Sequence, residues 1–285
     1  MAEVKDKVIT VESLKAVYDN IVTNIANPNI LVNGDFQVWQ RGTSFNNVGT
    51  FVYTADRWAN CPANEQNLSV SRDDNGIRLA TTDERVCIFQ PIDKKLEGKD
   101  YTFSISVDGV VYDSVTFNVS GTDWHPFDLY YNGVRMGAFS IQHKANFDHT
   151  YLEIYIEKQS AVINWVKIEQ GSKATPFVPK SYTEELMLCK RYYTKHNTVA
   201  TIYYDYTDNS YATLVGFEWM RTLPTVVNTA GWALNNSAIG MASESYEVME
   251  RQENKILIRY RFPQSKANSA CCFSANIELD AEIHS

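Results

Sequence analysis

Apolar and polar residues alternate with a period of two through much of the chain after residue 28. Apolar side chains occupy positions 101, 103, 105 and 107 in one run and positions 152, 154 and 156 in another. Such alternation predicts strands that bury one face and leave the other face in water. The turn sequences DDNG (73–76), DG (108–109) and NG (132–133) separate short runs, as in antiparallel hairpins. Residues 29–180 are therefore predicted to form an antiparallel β-sandwich.

A second domain is predicted after residues 171–182, where Pro176 and Pro179 indicate an extended linker. Ser181 and Glu184 fit a capping box at the start of a short helix. Alternating runs then resume at 256–262 and 273–283, and the last run places Glu282 with the other acidic residues on a wet face. The sequence predicts a smaller β-sandwich over residues 181–285.

The first 28 residues have a helical period instead. Apolar side chains recur at alternating spacings of three and four behind Thr10, at Val11, Leu14, Tyr18, Ile21 and Ile25. This spacing is typical of a coiled-coil seam, so residues 1–28 are predicted to be an attachment and trimerisation segment. The alternative is an amphipathic helix that lies on its own domain.

The composition supports folded domains and argues against two classes of partner. Apolar residues make up 44% and charged residues 21% of the 285 residues, which is enough to build cores. The formal charge of -8 opposes binding to a phosphate backbone, which needs clustered Lys and Arg. We therefore do not expect nucleic-acid binding. Since no apolar run approaches the roughly 20 residues that cross a bilayer, we do not expect membrane insertion either.

The five cysteines are scattered along the chain, at positions 61, 87, 189, 271 and 272. An odd number with two adjacent members does not indicate a disulfide framework. Scattered cysteines are typical of reduced, partly buried thiols in a protein made in a cytoplasm. We therefore expect all of them to be reduced.

The searches for metal, cofactor and catalytic motifs give no candidate. No histidine has an i, i+4 partner beside a Glu, and no cysteine pair has the two-residue gap of a zinc site. The phosphate-binding GxxxxGK, the dinucleotide-binding GxGxxG and the hydrolase GxSxG are absent from the sequence. The DDNG turn lacks the closing Glu of a calcium loop. We predict no metal, no cofactor and no enzyme.

Two carboxylates beside aromatic residues, Asp35 and Asp56, leave glycoside hydrolysis open. A glycosidase needs two carboxylates about 5–10 Å apart, and the sequence does not fix that distance. The simpler interpretation is structural, with turn hydrogen bonds or a buried ion pair between Asp56 and Arg57.

Several sequence segments, called phrases below, resemble segments of phage tail-fibre and receptor-binding proteins. The first domain opens with NILVNGDFQVWQRGTSF (29–45) and YTADRW (53–58), and it closes with WVKIEQGSKATPFVP (165–179), which leads into EELMLCKRYY (184–193). The phrases GFEWMRTLPTV (216–226) and NIELDAEI (276–283) resemble the β-domain that follows in such fibres. The phrase KVITVESLKA (7–16) resembles N-termini of prophage tail proteins. Together these phrases extend over most of the chain.

The resemblance implies both a fold and a function. Residues 29–180 are expected to form a jelly roll similar to carbohydrate-binding modules, followed by the C-terminal β-domain, in a homotrimer. The expected protein is a virion component assembled in the host cytoplasm. Its expected partners are further copies of itself, other tail, baseplate or collar proteins, and host surface polysaccharide.

Sugar recognition needs flat apolar rings beside amide, carboxylate or hydroxyl groups. The aromatic-rich segments 124–132 and 203–211 have this composition. The predicted carbohydrate-binding residues are Trp124, Tyr130, Tyr131, Tyr203, Tyr204 and Tyr206. The alternative for both segments is ordinary strand packing with exposed hydroxyls, whereas Trp39 and Trp58 are expected to be core residues.

Three functions are compatible with these patterns. The first is a receptor-binding protein that attaches to host glycan. The second is a structural virion subunit of a collar, head or baseplate that binds other virion proteins alone. The third is a polysaccharide depolymerase. We expect the first, without a catalytic residue.

Overall fold

The computed structural model describes residues 26–61, 67–143, 149–201, 203–205, 210–217, 219–228, 233–235, 245–252, 254–261 and 272–282. Over these residues the chain is mainly β, with antiparallel sheets and one short helix, which confirms the predicted mainly β class. The chain divides into two compact units. The first runs to Gln37 and includes Thr43–Thr54 and Trp58–Lys180, and the second contains Val38–Gly42, Ala55–Arg57 and the residues from Ser181 onwards.

The predicted N-terminal seam lies outside the described residues. Its five members are Val11, Leu14, Tyr18, Ile21 and Ile25. Tyr206, one of the predicted sugar-binding residues, also lies outside them. The coiled coil and the trimer therefore stay predictions.

Among its described residues, the first unit contains twelve strands in two sheets. Their bounds are Ser44–Val48 (β1), Ala59–Asn60 (β2), Leu68–Asp73 (β3), Gly76–Ala80 (β4), Val86–Ile92 (β5), Tyr101–Val107 (β6), Val110–Val111 (β7), Val115–Phe117 (β8), Trp124–Tyr131 (β9), Val134–His143 (β10), Thr150–Ile156 (β11) and Ser160–Gln170 (β12). The seven-stranded sheet has the order β1-β3-β4-β12-β6-β7, with β8 paired to β6. The five-stranded sheet has the order β2-β5-β11-β10-β9.

These two sheets pack face to face through aromatic rings. Phe103 of β6 stacks on Phe139 of β10 with ring centroids 4.0 Å apart. Phe117 of β8 contacts Phe127 of β9 at 5.5 Å and Phe139 at 5.7 Å. Because aromatic rings bury large apolar areas, this cluster forms the centre of a sandwich core.

Strand β6 is buried on both faces, although the alternation of its residues predicts one wet face. The polar face is buried because its hydroxyls find partners on neighbouring elements. Thr102 donates to the carbonyl of Gly171 at 2.7 Å, and Ser106 donates to Asn164 at 3.1 Å. Buried polar groups are tolerated when they are hydrogen-bonded in this way.

The opening phrase of the first domain is structural. The Asn29 side chain donates to the carbonyl of Val166 at 2.8 Å and accepts from the amide of Ile168 at 3.1 Å. Asn33 has a φ of 56°, and its carbonyl accepts a hydrogen bond from the Trp58 indole at 2.8 Å. Trp58 is fully buried, as predicted, whereas Trp39 is partly exposed.

Residues 171–180 contain no helix or strand, and side-chain contacts attach them to the first unit. Buried Lys167 pairs with buried Glu169 at 3.1 Å and donates to Thr175 at 2.7 Å. Phe177 stacks on Trp165 with centroids 4.8 Å apart. The closing phrase therefore fastens this segment to strand β12 of the same unit.

The three predicted turns are confirmed as hairpin connections. Asp108 and Gly109 have φ values of 52° and 77°, and Asn132 and Gly133 have values of 51° and 77°. Two successive residues with positive φ are typical of a type I′ turn, whose twist matches that of the flanking strands.

Two cysteines of the first unit are paired. Cys61 and Cys87 form a disulfide that joins the residue after β2 to strand β5. The expectation of reduced thiols is therefore wrong for this pair, because the fold brings together residues 26 positions apart. Cys189 is a buried free thiol, and burial raises its pKa well above the usual range.

The second unit contains one helix and eight strands among the described residues. The helix α1 spans Tyr182–Lys190, and the strands are Tyr193–Thr201 (β13), Tyr203–Asp205 (β14), Ser210–Gly216 (β15), Thr225–Asn228 (β16), Ala233–Asn235 (β17), Ser245–Gln252 (β18), Lys255–Arg261 (β19) and Cys272–Asp280 (β20). One sheet has the order β13-β20-β16, with β17 paired to β20. The other has the order β14-β15-β19-β18.

Helix α1 begins with the predicted capping box. Ser181 accepts from the amide of Glu184 at 3.3 Å, and Glu184 accepts from the amide of Ser181 at 3.0 Å. These reciprocal bonds satisfy two donors that a helix start leaves unpaired.

A buried charged cluster lies in the second unit. Arg57 pairs with Glu282 and lies 3.5 Å over the ring of Tyr192. Arg41 pairs with Glu282 at 3.4 Å and lies 3.6 Å over the ring of Tyr193. The prediction that Glu282 faces water is therefore wrong, because two arginines distant in sequence neutralise it inside the unit.

Candidate functional site

The outer face of the five-stranded sheet is partly open to water. Strand β9 is an edge strand paired to β10, with Asp128 opposite Ala138 and Phe127 opposite Phe139. Since side chains alternate across a strand, Phe127 and Leu129 point into the core. Trp124, Pro126 and Asp128 therefore share the outer face, and all three are exposed.

The other half of the same face is covered. Phe51 packs edge-on against Phe89 of β5 at 5.5 Å, and Phe89 stacks on Tyr151 of β11 at 5.2 Å. His149 contacts Tyr151 at 4.8 Å. The open part of the face is thus confined to β9, β10 and the end of β11 that carries Tyr155.

A hollow of about 190 Å³ lies on this open part. The ring of Trp124 stands at its rim with 54% of the side chain exposed. The remaining lining residues are Arg85, Pro126, Asp128, Arg135, Ala138, Phe139, Ser140, Tyr155 and Glu157. An exposed tryptophan beside polar groups that converge on one hollow is the usual composition of a binding site.

Charged side chains in the hollow bind one another. Arg135 donates to Asp128 at 2.8 Å and also pairs with Glu157. The Arg85 guanidinium lies 5.0 Å from the centre of the Tyr155 ring. These pairs hold the ends of long side chains in place around the hollow, although exposed pairs of this kind add little stability.

A hydrogen-bonded group forms the floor of the hollow. Tyr155 donates to Glu153 at 2.6 Å, and buried Ser140 donates to the same carboxylate at 3.3 Å. Burial, then the hydrogen bond and the charge of Glu153, raise the pKa of Tyr155 well above its usual range. The phenol therefore stays protonated and remains a donor at any physiological pH.

The structure separates the predicted sugar-binding residues. Trp124 lies at the hollow, and strand alternation places Tyr130 further along the same face. Tyr131 points to the opposite side, where its ring lies 6.4 Å from that of Tyr112. Tyr203 and Tyr204 belong to β14 of the second unit, and their side chains are outside the described structure.

Sequence reasoning missed Arg85, Arg135, Tyr155 and Glu157. The tight turn at 132–133 carries a signal for one of them, because a two-residue hairpin sets Arg135 opposite Tyr130 and near Asp128. Tyr155 lies in β11, Glu157 follows that strand, and Arg85 precedes β5. Local patterns do not reveal such neighbours.

The carboxylates Asp35 and Asp56 have structural partners. Asp35 accepts from the Gln37 side chain at 2.5 Å, and Asp56 accepts from the Gln40 side chain at 2.5 Å. Asp56 also forms a buried ion pair, with Arg41 at 3.6 Å. Burial raises the pKa of both carboxyl groups.

A larger concavity of about 590 Å³ lies on the seven-stranded sheet beside the 73–76 and 108–109 turns. Its carboxylates are engaged, since Asp73 pairs with Arg78 and Asp108 pairs with Lys158, both at 2.6 Å. The tryptophan in its lining, Trp165, is already stacked on Phe177. Trp165 is therefore partly buried, whereas Trp124 at the smaller hollow is exposed.

Comparisons with known proteins assign neither a family nor a function to this chain. No protein-family model matches the chain, and neither a curated protein nor a solved structure shows significant similarity to it. Among the described residues, no three His, Cys, Asp or Glu side chains are grouped to hold a metal ion. Within the same part of the chain, no helix has the length and apolar character of a membrane span.

Proposed function

We propose that this chain is a phage virion protein, a trimeric tail-fibre or receptor-binding subunit that attaches to glycan on the host surface. The phrases at 29–58 and 165–193 support the assignment to such fibres by resemblance. The observation that carries glycan binding is the exposed ring of Trp124 above a hollow lined by Arg135, Asp128 and Glu157.

The chemistry of the hollow suits a sugar. The apolar C–H side of a pyranose packs on a flat indole ring, and its hydroxyls both donate and accept hydrogen bonds. Asp128 and Glu157 offer acceptor oxygens, and Arg135 offers donors between them. This alternation of acceptor, donor and acceptor matches a row of neighbouring hydroxyl groups.

The proposed fold of the first unit is a jelly roll. Its two antiparallel sheets pack through Phe103 and Phe139, and one sheet leaves an outer face partly open. Such a rigid scaffold suits recognition, because its side chains hold their positions before the ligand arrives. For residues 181–285 we propose a second, smaller sandwich that completes the fibre subunit.

We propose binding without hydrolysis. Both carboxylates at the hollow, Asp128 and Glu157, are engaged by the single guanidinium of Arg135. A general acid has to carry a proton to the glycosidic oxygen, whereas both of these carboxylates are paired with a cation. The function proposed is therefore attachment, with no catalytic residue.

The disulfide between Cys61 and Cys87 is compatible with work outside the cell. Disulfides persist in oxidising surroundings and are rare in a reducing cytoplasm. A virion protein is made in the host cytoplasm but acts after release, so the pair can form when the particle leaves the cell.

The first prediction tests the hollow through Trp124. Trp124→Ala should reduce binding to host cells and to a glycan array by about tenfold or more, because truncating a tryptophan that anchors a binding site costs ~2 kcal/mol or more. Trp219→Ala is the matched control, since Trp219 is 66% exposed in the second unit. The control variant should bind like the unchanged chain.

Other results would change the proposal. Binding that survives in Trp124→Ala would move the glycan site away from this face. If the unchanged chain bound no glycan and was found in a tail or head lattice, it would be a purely structural subunit. Release of reducing ends from host polysaccharide would indicate a depolymerase instead.

A further inference from the structure

The charges around the hollow indicate which class of sugar it accepts, provided that the proposed glycan binding holds. Two guanidinium groups, Arg85 and Arg135, lie at the hollow. Two carboxylates, Asp128 and Glu157, lie there with them, and a third, Glu153, bonds to Ser140 and Tyr155 in the floor. The lining itself therefore carries two charges of each sign, and Glu153 adds a third carboxylate directly behind it.

Arg135 is already neutralised. It binds Asp128 at 2.8 Å and also pairs with Glu157, so its positive charge is shared between two acids. A ligand carboxylate or phosphate that took this guanidinium would displace at least one of them. The displaced acid would then face the ligand's charge without a counter-ion, and like charges in close contact repel each other.

The other guanidinium offers an anion little compensation. Arg85 lies 5.0 Å from the Tyr155 ring, which places it beside the phenol that donates to Glu153. An anion held by Arg85 over the Tyr155 ring would lie near Glu153, the carboxylate that accepts from the Tyr155 hydroxyl. A neutral ligand avoids this cost and uses the same oxygens as hydrogen-bond acceptors.

The size of the hollow sets a further limit. Its volume is about 190 Å³, below the ~300–1,000 Å³ of pockets that bury drug-sized ligands. One ring packed on Trp124 fits this space, and the rest of a chain would extend into water along the open face.

We propose that the hollow binds a single neutral pyranose residue, a hexose or N-acetylhexosamine, and discriminates against sugars that carry carboxylate, sulfate or phosphate. Trp124 packs on the ring of this residue, and the Asp128–Arg135–Glu157 row binds its hydroxyls. The acidic groups that bind hydroxyls are the same groups that repel an anionic sugar.

The test uses the full chain on an array that carries neutral oligosaccharides beside uronate-, sialate- and phosphate-containing ones. The unchanged chain should bind its best neutral probe about tenfold or more tightly than any anionic probe, in line with the repulsion above. Binding to the neutral probe should be nearly constant from low to high salt, because salt screens charge but not ring packing.

Removing the acidic charge should relax the discrimination. In the variant with Asp128→Asn and Glu157→Gln, the ratio of neutral to anionic binding should shrink towards one. The matched control replaces Asp93 and Glu97 with Asn and Gln, since both are exposed at the far end of β5 from Arg85. The control should keep the ratio of the unchanged chain.

The outcomes separate this inference from the proposed function. Tighter binding to anionic probes, weakened by salt, would overturn the neutral-sugar inference and leave glycan attachment intact. Absence of binding to every probe would overturn glycan attachment, and the inference with it. If the double variant loses thermal stability, the salt dependence of probe binding by the unchanged chain tests the neutral-sugar inference instead. Binding that weakens as salt rises would contradict it.

Discussion

The guanidinium of Arg57 is buried between an aromatic ring and a carboxylate. The side chains of Arg57 and Glu282 are 1% and 0% exposed, and Tyr192 lies against the other side of the guanidinium. A buried charge is costly unless it is paired, so each member of the pair depends on the other. Removing Arg57 leaves buried Glu282 with Arg41 at 3.4 Å, and removing Glu282 deprives both arginines of its carboxylate.

This dependence gives a prediction for stability. Arg57→Ala should lower the free energy of unfolding by about 3–5 kcal/mol, because Glu282 would remain buried without its main partner. Lys158→Ala is the matched control, since its pair with Asp108 is exposed and such pairs contribute roughly 0–1 kcal/mol. Urea unfolding followed by tryptophan fluorescence measures both, and equal losses would contradict the buried pair's role.

The sequence predicts least well the partners of individual residues. The alternation in the last strand places Glu282 with Glu278 on a polar face, but the burial of Glu282 depends on arginines more than two hundred positions away. The pairing of Cys61 with Cys87 depends on the same kind of distant contact. A pattern over ten residues carries no information about partners that the fold supplies from elsewhere.

Secondary-structure elements follow the sequence more closely. The alternating runs at 101–107 and 150–156 form strands, and Ser181 starts the helix, because these features depend on neighbours within a few residues. The turn at 132–133 sets the pairing of β9 with β10, which brings Asp128 close to Arg135. One hairpin therefore supplies most of the lining of the candidate site, whereas Arg85, Tyr155 and Glu157 come from other parts of the chain.

Two turn glycines allow the pairing of one strand to be tested. Both have positive φ, but a Cβ on Gly76 (φ 143°) would meet the carbonyl oxygen of Ile163 in β12, whereas a Cβ on Gly109 (φ 77°) has open space. Gly109→Ala should cost about 1–2 kcal/mol for the strained φ alone. Gly76→Ala should cost roughly 1–3 kcal/mol more, because backbone atoms of β12 must move.

Thermal unfolding of the two variants gives the comparison, and hydrogen exchange at the amides of β12 locates the damage. Faster exchange confined to Gly76→Ala is the expected result. If the two alanine variants lose the same stability, contact with β12 is not what makes glycine necessary at position 76.

At the scale of the whole molecule, binding strength depends on how many copies act together. A shallow site for one ring binds weakly, but linked sites gain avidity when their geometry allows simultaneous contact. The seam at Val11, Leu14, Tyr18, Ile21 and Ile25 is the proposed source of that linkage. Its short length means that it needs partners to be stable, since isolated helices under ~12–15 residues are marginal in water.

The trimer prediction is tested by mass and by avidity together. Light scattering of the full chain should give three times the 32.5 kDa of one copy. A variant without residues 1–25 should have a lower mass and should bind host cells more weakly, while its affinity for a soluble oligosaccharide stays unchanged. A full chain with the mass of a single copy would remove both the seam and the avidity from the proposal.

The chain passes between the two units more than once, and this limits where related genes can recombine. Val38–Gly42 and Ala55–Arg57 belong to the second unit, although most of their sequence neighbours belong to the first. A crossover near codon 180 would pair a new C-terminal module with arginines selected for the old one. Viable hybrids should therefore inherit the segment 38–57 and the module after residue 180 from the same parent.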